Sequence, residues 1–151
     1  MNIHLAAEIV EDHPRQDPDW ANLPQMDLHY YAFVGGFTFR VGEADFSTTD
    51  WEWVPQLDFA LALRGIAVAL EPGTEEIFEF TENEDTIRFR RVGDQVEISA
   101  SYVDDTAVVP HDELLAAADA FLDELALQLL DAHPDLGRNA YFRKAVGRAE
   151  S

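Results

Sequence analysis

The chain has 151 residues, 47% of them hydrophobic, which suits one domain with a buried core. Thirty acidic residues against ten basic ones give a formal net charge of −20. That balance excludes sequence-independent nucleic-acid binding by phosphate neutralisation and opposes docking on an anionic membrane. The absence of cysteine excludes thiol catalysis, disulfides and cysteine-ligated zinc.

Residues 3–10 alternate as a first strand, and the proline-rich segment 11–24 (EDHPRQDPDWANLP) reads as a long loop. Residues 27–34 (DLHYYAFV) are aromatic and β-prone. With Gly35-Gly36 as a turn and Phe37, Phe39 and Val41 alternating against Thr38 and Arg40, they predict a hairpin over 27–41. Residues 43–50 read as a loop or a short edge strand. Pro55 fits the first turn of a buried helix running to about Ala69, closed by Glu71-Pro72-Gly73.

Three β-prone runs follow, 77–81, 86–91 and 95–102. The two-residue turn Gly93-Asp94 sets Arg90 opposite Glu97, Phe89 opposite Ile98 and Ile87 opposite Ala100. A turn at Asn83-Glu84 would set Glu79 opposite Arg88, Phe78 opposite Phe89 and Phe80 opposite Ile87. One face of this meander is then apolar, and the other carries opposite-charge pairs that occupy Arg88 and Arg90. Pro110 and the acidic His111-Asp112-Glu113 start a second long helix, which ends near His133 because Pro134 follows.

The expected fold is α+β, an antiparallel sheet with two long helices packed on one face. Residues 1–137 form the single domain. Residues 138–151 form a basic tail, with a short helix possible over 139–146. Arg138, Arg143, Lys144 and Arg148 against Glu150 give the tail +4 − 1 = +3, so residues 1–137 carry 6 basic and 29 acidic groups, −23. With no basic leader and no apolar run of spanning length, the expected location is the cytoplasm.

None of the five histidines has metal-ligand spacing. His29, beside Tyr30 and Tyr31, is better explained as a strand residue than as a catalytic one, and His111 as a helix-start residue. The acidic groups Asp17/Asp19, Glu82/Glu84/Asp85 and Asp104/Asp105 lack the calcium-loop pattern, so no metal and no cofactor are expected. In Asp50-Trp51-Glu52-Trp53 two indoles alternate with two carboxylates. The bland reading places the indoles in the core. The functional one makes them an interface anchor ringed by acid, with Trp20 a second candidate of that kind.

The acidity itself reads two ways. It can serve solubility alone, or it can capture a cationic partner whose approach relieves self-repulsion, carboxylates standing where the partner expects phosphates. The β-meander (IFEFTENEDTIRFRRVGDQVEISAS) followed by a proline-led acidic helix (VVPHDELLAAADAFLDEL) resembles small acidic bacterial immunity proteins of polymorphic-toxin and contact-dependent inhibition systems. That resemblance covers mainly residues 50–135 and implies a basic toxin or nuclease domain as partner, neutralised by tight binding. The residues expected to make the contact are Asp45, Asp50, Trp51, Glu52, Glu82, Glu84, Asp85, Asp104 and Asp105, the last two in a loop over 103–106. The alternatives are a carboxylate-based metal-dependent binder or small enzyme, and an acidic housekeeping or assembly module.

Overall fold

The computed structural model describes residues 3–81 and 83–147. In chain order the elements are β1 (Ile3–Glu11), β2 (Val34–Val41), β3 (Ala44–Asp45), β4 (Val54–Pro55), α1 (Gln56–Ala69), β5 (Glu75–Glu79), β6 (Thr86–Val92), β7 (Gln95–Ala100), β8 (Val103–Pro110), α2 (His111–Ala132) and α3 (Ala140–Val146). The fold is α+β, and all strand pairs are antiparallel. The strands divide into two four-stranded sheets: β1-β2-β3, with β4 also on β2, and β5-β6-β7-β8. The helices α1 and α2 pack on each other and each meets both sheets.

Phenylalanines join these layers. Phe37 of β2 lies flat on Phe59 of α1, with ring centroids 3.8 Å apart and planes 1° from parallel. Phe59 in turn meets Phe78 of β5 and Phe121 of α2 edge-on, at 5.2 and 5.9 Å. The edge-on pairs add about 0.5–1.5 kcal/mol each beyond the burial of their area. Polar ties then fix the helix ends. His111 Nε2 donates to Ala67 O at 2.7 Å, and Arg91 reaches Leu70 O at 3.0 Å. Between the two helices, Arg64 Nε stands 2.7 Å from Asp119 Oδ1.

The expected hairpin over 27–41 does not form. Residues Asp27–Tyr31 make a single wide helical turn, and Val34–Val41 is one continuous strand. Gly35 and Gly36 do not turn the chain. They let other backbone approach it: a Cβ on Gly35 would sit 1.9 Å from Glu8 O, and one on Gly36 2.3 Å from Thr48 O. Just before β2, buried Phe33 takes a φ of 56°, a left-handed conformation rare for so bulky a residue. It is held by hydrogen bonds from its own N–H to Asp12 O and from Gln56 N–H to its carbonyl.

In the second sheet the β6–β7 register is as expected, with Arg90, Phe89 and Ile87 opposite Glu97, Ile98 and Ala100. The β5–β6 register is displaced by two residues: Glu79 pairs with Thr86 and Phe78 with Ile87. The loop there is longer than a two-residue turn, and Phe80 N–H closes it onto Asp85 O. Because the slip is even, the apolar residues keep their face. Arg88 meets Glu75 at 3.6 Å instead of Glu79, while Arg90 meets Glu97 at 4.0 Å. Residues 103–106 are not a loop but the start of a fourth strand, β8, whose polar residues suit an edge.

Gly65, inside α1, contrasts with Gly35. It costs a helix about 0.5–1 kcal/mol relative to alanine, yet a Cβ there would meet nothing within 4 Å. After α2, the short helix expected over 139–146 is present as α3. Phe142 is buried, and the Asn139 amide donates to Trp20 O and Leu23 O at 2.9 and 3.0 Å. Arg148 lies outside the described residues.

Gly35→Ala should destabilise the chain by about 3 kcal/mol or more, since the overlap is with backbone that cannot rotate away. Urea unfolding measures this, and a loss under about 1 kcal/mol would contradict the close-approach reading.

Candidate functional site

The two sheets meet where β3 faces β8. Asp45 N–H of β3 donates to Asp105 Oδ2 of β8 at 3.0 Å. Beside this seam the Tyr102 hydroxyl, in the turn between β7 and β8, donates to Phe46 O at 2.6 Å. Against Tyr102 stands Trp51, with centroids 4.9 Å apart, and Trp51 stacks on Trp53 at 5.3 Å with planes 10° apart. Phe80, leaving β5, touches all three: Trp51 and Trp53 edge-on at 5.2 and 6.2 Å, and Tyr102 at 5.8 Å. Trp51, Trp53 and Tyr102 are half-buried while Phe80 is buried, so the group forms a platform on the surface continuous with the core. Phe80 also meets Phe37 and Phe78.

Carboxylates rim the platform and are held in place. Asp85 Oδ1 accepts from Ser101 Oγ at 2.9 Å, and its own N–H donates to Asn83 Oδ1 at 3.0 Å. Asp45 accepts from Ser47 N–H at 3.0 Å. Its carboxyl is held below the usual carboxylate range, chiefly by Ser47 and further by Arg40, against a smaller opposing effect of burial. Arg40 Nε stands 3.6 Å from Asp45, so one cation belongs to this rim.

Among the nine residues expected to make contact, Asp45, Trp51 and Asp85 come together around Tyr102, and Asp105 joins them through the Asp45 N–H. Asp50 and Glu52 flank Trp51 in the chain and are exposed. The segment is not a strand, yet both indoles pack on the core and Glu52 is exposed. Glu84 is exposed beside Asp85. Asp104 is exposed but alternates to the opposite side of β8 from Asp105. Glu82 lies outside the described residues. Sequence reasoning did not assign Tyr102 or Phe80 to the site, because their contacts cross tens of residues and leave no spacing signal.

Trp20 is a packing residue, not a second anchor. It stacks on His133 at 4.0 Å and on Phe33 at 5.4 Å, and its carbonyl is bound by Asn139. His29 lies on the helical turn rather than a strand, with Nδ1 2.9 Å from Asp58 Oδ1 of α1. Tyr141 lies near that pair, and its phenol is pushed above its ordinary value by burial first, then by Asp58 and Tyr30. Among the described residues, no three histidines, aspartates or glutamates gather as a group that could hold a metal ion, and no helix is long and apolar enough to cross a membrane.

The Tyr102 phenol is pushed well above its ordinary value of 10.0, by burial first and then by Asp85 and Asp45. The folded chain therefore keeps a proton that the unfolded chain releases above pH 10. The stability linked to that proton is intact below pH 10 and is lost progressively as pH rises further. Tyr102→Phe should cost about 1 kcal/mol at neutral pH through the lost hydrogen bond to Phe46 O. Its deficit relative to the native chain should narrow at about pH 10.5 in urea melts, because only the native chain carries the raised phenol. A gap that stays constant or widens would contradict the burial of that hydroxyl.

Comparison of the chain with protein-family models, with curated proteins and with solved structures returns no match.

Proposed function

We propose that this chain is a non-catalytic binding protein that neutralises a basic partner, a toxin or nuclease domain, by covering it with an acidic surface centred on the aromatic platform. The observation that carries this reading is the coincidence of three half-buried surface rings, Trp51, Trp53 and Tyr102, backed by buried Phe80, with Asp45, Asp85 and Asp105 fixed around them. Tryptophan and tyrosine are the residue types on which binding energy concentrates. A guanidinium stacks on such rings while its donors reach neighbouring carboxylates.

Preorganisation supports the same reading. Asp45, Asp85 and Asp105 are already oriented by Ser47, Ser101 and the Asp45 N–H, so little freedom is lost when a partner arrives. The net charge of −20 supplies long-range attraction for a cationic domain and favours fast capture. Inhibition by occlusion needs no nucleophile and no metal. It needs a surface that the partner's nucleic-acid site mistakes for phosphate.

The products of the genes flanking this one are the probes to immobilise against the purified chain, and a basic domain among them should be retained. Its association rate should fall roughly ten-fold or more between low and 0.5 M salt, as screening shortens the reach of the charge. Asp45→Lys with Asp85→Lys should slow association further, and Trp51→Ala should speed dissociation. Retention of no basic product, or an association rate indifferent to salt and to these changes, would reject the proposal.

A further inference from the structure

The strand β5 is an edge of the second sheet, paired among the described residues only with β6. Phe80 N–H donates to Asp85 O and Arg91 N–H to Thr74 O, so the even-numbered residues of β5 turn their backbone toward β6. By the two-residue alternation of an antiparallel ladder, Glu75, Ile77 and Glu79 turn their N–H and C=O groups outward. Alongside this edge runs a groove of about 420 Å³ between β5 and α1. Its α1 wall is Ala62, Gly65 and Ile66, with Tyr30 and Asp58 also lining it, and its β5 wall carries Glu76 and Glu79.

We infer that this groove is a strand-addition site for an extended cationic segment of a partner protein, which pairs with β5 and lays alternate side chains over α1. Gly65 argues for an occupant. The interior of the helix disfavours glycine, and among the described residues no neighbour requires it, since a Cβ would meet nothing of them within 4 Å. What a Cβ would take is room in the groove. Charge chooses the occupant: Asp58, which faces His29, and Glu76 stand on the α1 side of the groove, Glu79 alternates to the outer face of the same edge, and Glu76 and Glu79 hold no ion pair among the described residues. An arginine or lysine turned toward α1 would reach Glu76 and the edge of Asp58 with its head while its stem packs on Ala62 and Ile66. Main-chain hydrogen bonds would supply affinity and the alternating side chains specificity. The opposing role for such acids is to keep strands away from an open edge, and the experiment separates the two.

The probe is a blocked, fluorescein-labelled octapeptide of alternating arginine and valine, titrated into the full chain beside two controls. One is the same peptide N-methylated on the edge that would pair, and the other has glutamate for arginine. The arginine peptide should bind and slow amide exchange at Ile77 and Glu79. N-methylation should weaken binding roughly ten-fold, the worth of one or two lost hydrogen bonds, and the glutamate peptide should not bind. Gly65→Leu should weaken the arginine peptide by a similar factor while melting no lower than the native chain. Failure of the arginine peptide to bind the native chain, equal binding of the N-methylated peptide, or undiminished binding to Gly65→Leu would each overturn the inference. Because the probe is synthetic and its readout is on β5, the result does not depend on the platform or on the partner proposed for it.

Discussion

Everything in this molecule hangs on the face-to-face contact of Phe37 with Phe59. It ties the first sheet to α1, and through the edges of Phe78 and Phe121 it brings in the second sheet and α2. A chain with a net charge of −20 resists compaction at its surface, so its interior has to supply the cohesion. Buried phenylalanines do so with large apolar area and few rotamers to freeze. The glycine pair at 35–36 is the geometric counterpart. Because β2 lacks side chains there, the backbones of Glu8 and Thr48 can pass directly beside the strand that carries Phe37.

The same aromatic system continues outward. Phe80 touches Phe37 inside and Trp51, Trp53 and Tyr102 at the surface, so the platform is an extension of the core and not a decoration on a loop. That continuity makes the rings rigid. The hydroxyl of Tyr102 and the carboxylate of Asp105 then lock the seam between the sheets at the point where the acidic rim gathers. Stability and the proposed recognition therefore draw on the same contacts.

Much of the fold was legible because local rules were decisive. The two-residue turn at Gly93-Asp94 leaves one register for β6 and β7, and the prolines at 55 and 110 mark where both long helices begin, each standing as the extended residue just before the first turn rather than within it. Where a local rule had two physical causes, reading it failed. Gly35-Gly36 signals a turn as readily as a close approach of backbone. Asp104-Asp105-Thr106 looks like a loop because edge strands tolerate polar residues. The site was half legible. Trp51, Asp45, Asp85 and Asp105 stand out by residue type and neighbours, whereas Tyr102 reaches Phe46 across 56 positions, a distance no periodicity records. Trp20 shows the converse, an indole with the composition of an anchor whose surroundings are all packing.

The most direct measurement is amide hydrogen exchange of the chain alone and bound to the basic domain it captures. The account predicts slowed exchange confined to the stretches that build and rim the platform, around residues 45–53, 83–86 and 101–105. Protection falling on α2 and α3 instead, with those stretches unchanged, would contradict it.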